Sequence, residues 1–311
     1  MRQGAPCAAN RPDPAWIAVD WGTSALRVWA MPEDGPPLAA ARSAQGMASL
    51  DRDGFEPALL ALIAPWLTAG RTVPVVACGM VGARQGWVEA PYTPVPCPPL
   101  AAERCVTAPT ADPRLAVRIV PGLMQGTPPD VMRGEETQVA GFLADAPEFS
   151  GTLCLPGTHA KWVEVRERRV ERFRTAMTGE LFALLAERSV LRHSVGEGWD
   201  RDAFLAAVRE AHAEPASLPG RLFGLRAGSL LHGLDPAVAR ARLSGWLIGA
   251  EIAAMAPDRS TPITVLGQQP LASHYVAALR ATAHAARAVD AAGATLRGLR
   301  AAYRGLREGG A

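Results

Sequence analysis

Apolar residues along the chain fall into short runs separated by glycine-marked turns. Trp16 to Asp20 is one run, closed by Gly22, and Leu26 to Trp29 is the next, which together predict strand, tight polar turn, strand. Glu56 to Leu67 has helical spacing, and Val73 to Ala77 then reads as a buried strand whose end runs into Cys78-Gly-Met-Val-Gly82. A strand, a helix and a second strand in this order are the units of an α/β layer. Residues 91–114 are rich in proline and predict an extended surface connection, followed by a strand at Val117 to Val120 and a helix over Asp130 to Leu143.

The second half repeats the plan. Thr152 to Leu155 is a short strand running into Pro156-Gly157-Thr158-His159, and Lys161 to Val165 with Arg169 to Thr175 alternate apolar and polar residues as a hairpin does. Helices are predicted around 180–192, 200–212 and 237–255, then a strand at Ile263 to Leu266 ending in Gly267. Gly245 and Gly249 lie four apart in the last helix, a spacing that suits a close helix crossing. The parse is two similar α/β halves, 15–140 and 141–308, after a polar, proline-containing tail at 1–14.

Composition narrows the classes. The chain has 311 residues, 49% hydrophobic and 20% charged, within the range of chains that bury a core. Its 32 basic and 30 acidic residues give a net charge of +2 with no basic run to follow a nucleic-acid backbone, so nucleic acid is not an expected partner. Five cysteines without CxxC spacing predict neither a disulfide framework nor a zinc site. With no signal-like apolar run near the start and no stretch of ~20 apolar residues, the expected location is the cytoplasm, away from any membrane.

Three segments carry candidate chemistry. In Asp20-Trp-Gly-Thr-Ser24 with Arg27, Gly22 lets backbone N–H groups approach an oxyanion, Thr23 and Ser24 add hydroxyls, and Asp20 can hold Mg²⁺ or its waters. An ordinary hairpin turn is the plain alternative. Leu155-Pro-Gly157-Thr158-His159-Ala-Lys161 repeats the arrangement in the second half, with Lys161 either a phosphate contact or a solvated lysine. His159 suits hydrogen bonding or substrate positioning better than metal ligation. In Arg133-Gly-Glu135-Glu136 the acidic pair is favoured by the helix dipole alone, but a neighbouring arginine that can grip a carboxylate suits a sugar acid.

Weaker signals surround these. The loops holding Arg84 and Trp87, and Thr178-Gly-Glu180, suit the lining of a small polar pocket, although Trp87 is more readily a packing residue than a sugar platform. Gly267-Gln-Gln-Pro270 follows a strand and opens a helix, where an adenine can lie against backbone. No GxxxxGK[ST], GxGxxG after a strand or GxSxG occurs.

Taken together, Asp20-Trp-Gly-Thr-Ser24, Cys78-Gly-Met-Val-Gly82 with Gly86-Trp87, Met132-Arg-Gly-Glu-Glu-Thr-Gln138, Pro156-Gly-Thr-His159 with Lys161-Trp162, Met177-Thr-Gly-Glu180 and Leu247-Ile-Gly-Ala-Glu251 resemble the 2-dehydro-3-deoxygalactonokinase family, over about Trp16 to Leu306. The resemblance implies an enzyme of the actin, sugar-kinase and Hsp70 superfamily: two ribonuclease-H-like α/β domains hinged around a nucleotide cleft. It implies transfer of the ATP γ-phosphate to the 6-hydroxyl of 2-dehydro-3-deoxy-D-galactonate, with ATP and Mg²⁺ as cofactors and a small sugar acid as partner. A homodimer stays open.

The resemblance implies that Asp20 through Ser24 form the first phosphate loop, Gly157-Thr158 the second, and Glu135 and Glu136 an interdomain connector. The chemistry of the residues makes Asp20, Glu135 and Glu136 the catalytic candidates, with Asp20 also the metal ligand. Gly22, Thr23, Ser24, Arg27, Gly157, Thr158, Lys161 and Gly267 are the expected nucleotide contacts, and Arg84, Trp87, Arg133, His159 and Glu180 the expected substrate contacts. One departure is Pro156, where the wider superfamily often has an acidic residue, which puts more weight on Asp20 and the Glu135–Glu136 pair. Two rivals are a kinase of the same fold for the gluconate epimer and a non-catalytic nucleotide-binding switch.

Overall fold

A computed structural model describes residues 12–309. Most of the predicted N-terminal tail, and Cys7 within it, lies outside the described residues. The chain divides into two units, one made of residues up to Pro147 together with Gly293 onward, the other of Glu148–Ala292.

The first unit contains β1 (Trp16–Trp21), β2 (Leu26–Met31), β3 (Ala39–Ser43), α1 (Phe55–Ile63), β4 (Val73–Gly79), β5 (Thr93–Pro94), β6 (Val106–Thr107), β7 (Leu115–Ile119), β8 (Leu123–Gln125), β9 (Asp130–Met132) and α2 (Glu135–Asp145). Its main sheet has the order β3-β2-β1-β4-β7-β6, with β2 antiparallel to β1 and to β3, and β4 parallel to β1 and to β7. Both faces of this sheet are buried, which explains why its central strands read as continuous apolar runs. Pleating sends Ile17, Val19, Trp21, Val75 and Ala77 to a core shared with Phe55 and Leu59 of α1. The alternate residues Trp16, Ala18, Val76 and Cys78 face a second core with Leu299, Ala302 and Tyr303.

The second unit contains β10 (Gly151–Leu155), β11 (Ala160–Arg166), β12 (Arg169–Ala176), α3 (Thr178–Ala183), α4 (Arg201–Ala213), α5 (Leu218–His232), α6 (Pro236–Met255), β13 (Ile263–Gly267), α7 (Leu271–Ala281) and β14 (Ala286–Asp290). Its sheet order is β12-β11-β10-β13-β14, with the same parallel and antiparallel pattern as the five strands β3-β2-β1-β4-β7. This order, with the second strand reversed, is the ribonuclease-H-like arrangement, here present twice. The glycine pair of α6 does what its spacing suggests: a Cβ at Gly245 or Gly249 would strike the backbone carbonyl of Phe204 or Val208 on α4, so the two helices cross in contact.

Helix α8 (Ala291–Glu308) returns the chain to the first unit from Gly293 on, which corrects the placement of the C-terminal stretch in the second half. The physical reason is packing. Tyr303 stacks on Trp16 with ring centroids 4.6 Å apart, and Gly298 lets α8 lie directly on the Thr137 backbone of α2. Two further corrections concern local structure. Helix α2 begins at Glu135, because Gly134 sits at φ +107° and breaks the backbone after strand β9. The segment predicted as a surface connection contributes buried Thr93, Cys97 and Ala108.

Candidate active site

In the first unit, β1 delivers Asp20 and the β1–β2 turn delivers Gly22, Thr23 and Ser24. Gly22 N–H donates to the Ala25 carbonyl at 2.9 Å, and the Gly22 and Thr23 carbonyls accept from Met47 and Ala48 N–H at 3.0 and 2.9 Å. With those carbonyls turned to the strap at 46–48, the Thr23 and Ser24 side chains stay exposed. Gly46 is part of this device, since a Cβ there would collide with the backbone of Thr23, Ser24 and Ala25. Sequence reasoning missed it, because a lone glycine in an irregular segment announces nothing.

Asp20 is ion-paired with Arg27 across the β1–β2 register, where the two residues face each other. Burial pushes the Asp20 carboxyl up, and the Arg27 charge and hydrogen bond oppose the shift. Arg27, expected at the nucleotide, is therefore committed to Asp20 here. Mg²⁺ associated with nucleotide keeps most of its waters and takes one or two carboxylates. Asp20, a carboxylate beside an exposed turn, fits that limited role, and no group of three or more His, Cys, Asp or Glu side chains among the described residues forms an all-protein metal site.

Cys78 pairs with Asp20 across β1 and β4, and the strand ends at Gly79 with φ +90°. A Cβ on Gly134, itself at positive φ, would lie 3.4 Å from the Gly79 Cα, so the two glycines bring the start of α2 against the end of β4. Glu135 and Glu136 stand in the first turn of α2, where helix N–H groups favour negative charge. Glu135 accepts from Arg133 N–H at 3.0 Å. Glu136 is fully enclosed and accepts from Gly134 N–H at 2.6 Å and from the Thr137 hydroxyl at 2.9 Å. Burial and, after it, the Glu135 charge push Glu136 up to about 7. That enclosure revises its expected part in catalysis, for Glu136 closes the start of its own helix and has no open face toward a substrate.

Arg133 is 9% exposed, stacked over Tyr92 at 4.3 Å, with Nη2 donating to the Ala90 carbonyl at 2.7 Å. Its Nε and Nη1 are buried without a hydrogen-bond partner. Arg84 does not join it, since that side chain is exposed on the surface loop and its carbonyl accepts from Arg52. Trp87 is a core residue, 6% exposed, stacked on Phe55 and edge-on to Trp21, so packing uses the surface a sugar would need.

In the second unit, the loop at Gly157 and Thr158 is braced by the start of α3. Glu180 N–H donates to the Thr158 carbonyl at 3.0 Å, and a Cβ on Gly179 would strike the Gly157 carbonyl. His159 and Glu180, both partly exposed, pair with each other. Lys161, read as contact or solvated, is neither exposed nor at the loop tip: it is 4% exposed and reaches the His159 carbonyl at 3.4 Å.

The same loop lines a 710 Å³ cavity whose walls are mainly apolar and aromatic, including Phe182, Trp199, Leu247, Leu271, His274 and Tyr275, with Thr178, Arg240 and Ser244 as polar members. Trp199 and His274 stack with centroids 4.1 Å apart. Burial lowers the His274 pKa, favouring the neutral ring. Sequence reasoning placed the region through Gly267, but Gly267 itself is a buried strand end packed toward Ala272 and Pro156 rather than cavity wall. The aromatic residues came from separate elements with no shared motif.

Two ribonuclease-H-like units, each with a Gly-Thr turn after its first strand, define the actin-like class that includes ATPases and sugar kinases. The family model for 2-keto-3-deoxy-galactonokinase matches residues 20–302. A Rhizobium meliloti (strain 1021) protein described as a probable 2-dehydro-3-deoxygalactonokinase is 44% identical over 301 residues, covering 94% of this chain and 97% of that one. The 2-dehydro-3-deoxygalactonokinase of Escherichia coli (strain K12) is 37% identical over 278 residues, covering 86% and 89%. A Sinorhizobium meliloti crystal structure solved under the same enzyme name superposes with a TM-score of 0.86 at 42% identity, covering 93% and 98%. The chain belongs to the 2-keto-3-deoxy-galactonokinase family.

Proposed function

We propose that this protein transfers the γ-phosphoryl group of ATP to the 6-hydroxyl of 2-dehydro-3-deoxy-D-galactonate, in the cytoplasm, as a step of galactonate breakdown. The observation that carries the reading is 44% identity to a relative of that name across 97% of its length. Phosphoryl transfer asks a protein chiefly to align the hydroxyl and neutralise developing charge. The second unit's loop at Gly157 and Thr158 takes the phosphates, and its cavity takes the nucleoside, whose size is within the usual range for such sites. In the first unit Thr23 and Ser24 contact phosphate, and Asp20 would hold Mg²⁺ through its waters, an ion that would supply charge neutralisation to the phosphates. Glu135, the carboxylate of its pair that is not enclosed, orients the acceptor hydroxyl. Arg133 supplies the positive charge for the acid's carboxylate, which would complete a guanidinium now left with unpartnered nitrogens.

A coupled ADP-release assay with Mg·ATP tests this, comparing 2-dehydro-3-deoxy-D-galactonate, its gluconate epimer, galactonate and no acceptor. Stimulation by the first acid alone is the expected result. Equal or greater stimulation by the epimer would change the substrate, and turnover indifferent to every acid would sink the kinase reading.

A further inference from the structure

Glu251 stands on α6 with 5% exposure, and three uncharged donors from three different elements converge on its carboxylate. Trp162 Nε1 of β11 donates to Oε1 at 2.8 Å, the Tyr275 hydroxyl of α7 donates to Oε2 at 2.8 Å, and the Thr178 hydroxyl at the start of α3 adds a third hydrogen bond. A buried carboxylate is costly unless its lone pairs are filled, so the three donors and the acid hold one another in place.

Two of the donors stand in the lining of the 710 Å³ cavity, and the third lies on the strand that follows its Gly157–Thr158 loop. Thr178 and Tyr275 are wall residues, Tyr275 beside His274 on α7. Thr178 precedes Gly179 and Glu180, which fit against the Gly157 carbonyl and bond the Thr158 carbonyl, so fixing Thr178 fixes the Gly157–Thr158 loop from behind. Trp162 lies on the strand by which that loop returns to the sheet, directly opposite Cys154 of β10. Glu251 itself is not a wall residue.

We infer that Glu251 is a positioning residue for the nucleotide: it ties the phosphate-loop end and the aromatic end of the cavity to one rigid helix, and so sets their separation without touching the ligand. This rests on the reading of the cavity as the nucleotide site. Glu251 is coupled to nucleotide affinity and not to the acid acceptor, whose proposed contact Arg133 belongs to the first unit.

The test is direct titration of the full-length protein with a fluorescent ADP analogue, followed by its anisotropy, in the wild type and in Glu251→Leu, Trp162→Phe and Glu251→Gln. Thermal midpoints and the KM values for ATP and for the sugar acid are measured alongside. Leucine at 251 should weaken ADP binding about tenfold or more, the loss expected when hydrogen bonds to a buried carboxylate are removed. Trp162→Phe removes one donor away from the ligand and should cost about threefold, and glutamine, which keeps the shape and part of the bonding, should recover most of the affinity. The acid KM at saturating ATP should stay at the wild-type value. Should Glu251→Leu fail to fold, Trp162→Phe and Glu251→Gln carry the result. Folded variants with wild-type ADP affinity, or an acid KM rising in step with that of ATP, would overturn the inference alone. A wild type that does not bind the analogue would overturn the cavity reading and the inference with it.

Discussion

The Arg133 guanidinium lies 4.3 Å from the centre of the Tyr92 ring, and while Nη2 donates to the Ala90 carbonyl, Nε and Nη1 are buried with no partner. An uncompensated buried charge destabilises a protein, whereas an apolar side chain of similar volume in its place is often neutral or stabilising. Function and stability therefore pull in opposite directions at this position. Arg133→Met should leave the thermal midpoint unchanged or higher, while raising the KM for the sugar acid about 10- to 100-fold, the loss expected for charge-assisted hydrogen bonds. Calorimetry and steady-state kinetics on one preparation check both halves. An unaltered acid KM would remove Arg133 from the binding site.

Glu136 predicts a pH signature. Its folded-state pKa is raised by burial to about 7 from the ordinary 4.5, so between those values the folded chain holds a proton that the unfolded chain has released. Stability from this group is thus fully present below about pH 4.5 and is lost as pH rises through about 7. The full swing is about 3 kcal/mol as an order of magnitude. Denaturant midpoints at pH 5, 6, 7 and 8 should fall more steeply in the wild type than in Glu136→Gln, which has no proton to lose. Parallel profiles would mean that the carboxyl titrates alike in both states.

Two glycines of the second unit separate ligand approach from protein packing. A Cβ at Gly157 would meet no protein atom within 4 Å, but at Gly179 it would strike the Gly157 carbonyl. Gly157→Ala should keep the wild-type thermal midpoint and lose nucleotide affinity only, because the one thing its methyl can obstruct is phosphate. Gly179→Ala should lose both, by about 1–3 kcal/mol in stability for overpacking. If Gly157→Ala binds ADP normally, the loop is not where the phosphates lie.

The central strands β1, β4, β10 and β13 and the two Gly-Thr turns were legible in the sequence because apolar runs stopped by glycine are a local signal. Trp16, Val19 and Val76 sit in runs read as strands, and all three are buried. What escaped was set by tertiary contact. Edge strand β3 is mostly alanine, and helix α5 has Phe223, Leu230 and Leu231 exposed on what sequence pattern would take for a buried face. Trp87 belongs to a core, as its sequence reading favoured, whereas Lys161 carries a side chain that suits a ligand or solvent, and only the folded packing shows that it turns inward to the His159 carbonyl. The alanine-rich C-terminal stretch hid β14 and α8, and in α8 small residues such as Gly298 permit close approach to α2.

That close approach can be measured. Helix α8 lies so near α2 that a Cβ on Gly298 would collide with the Thr137 carbonyl, and one on Gly141 with the Ala294 carbonyl. Thr137 is also the residue whose hydroxyl bonds the Glu136 carboxyl, so pushing α8 away disturbs the start of the helix on which Glu135 and Glu136 stand. Gly298→Ala should cost about 1–3 kcal/mol, since backbone rather than a flexible side chain must move. Gly126→Ala, where an added Cβ meets nothing within 4 Å, is the matched control and should be within about 0.5 kcal/mol of the wild type. Denaturant unfolding of the two variants decides the point, and equal midpoints would show that α8 yields to the methyl group rather than being held against α2.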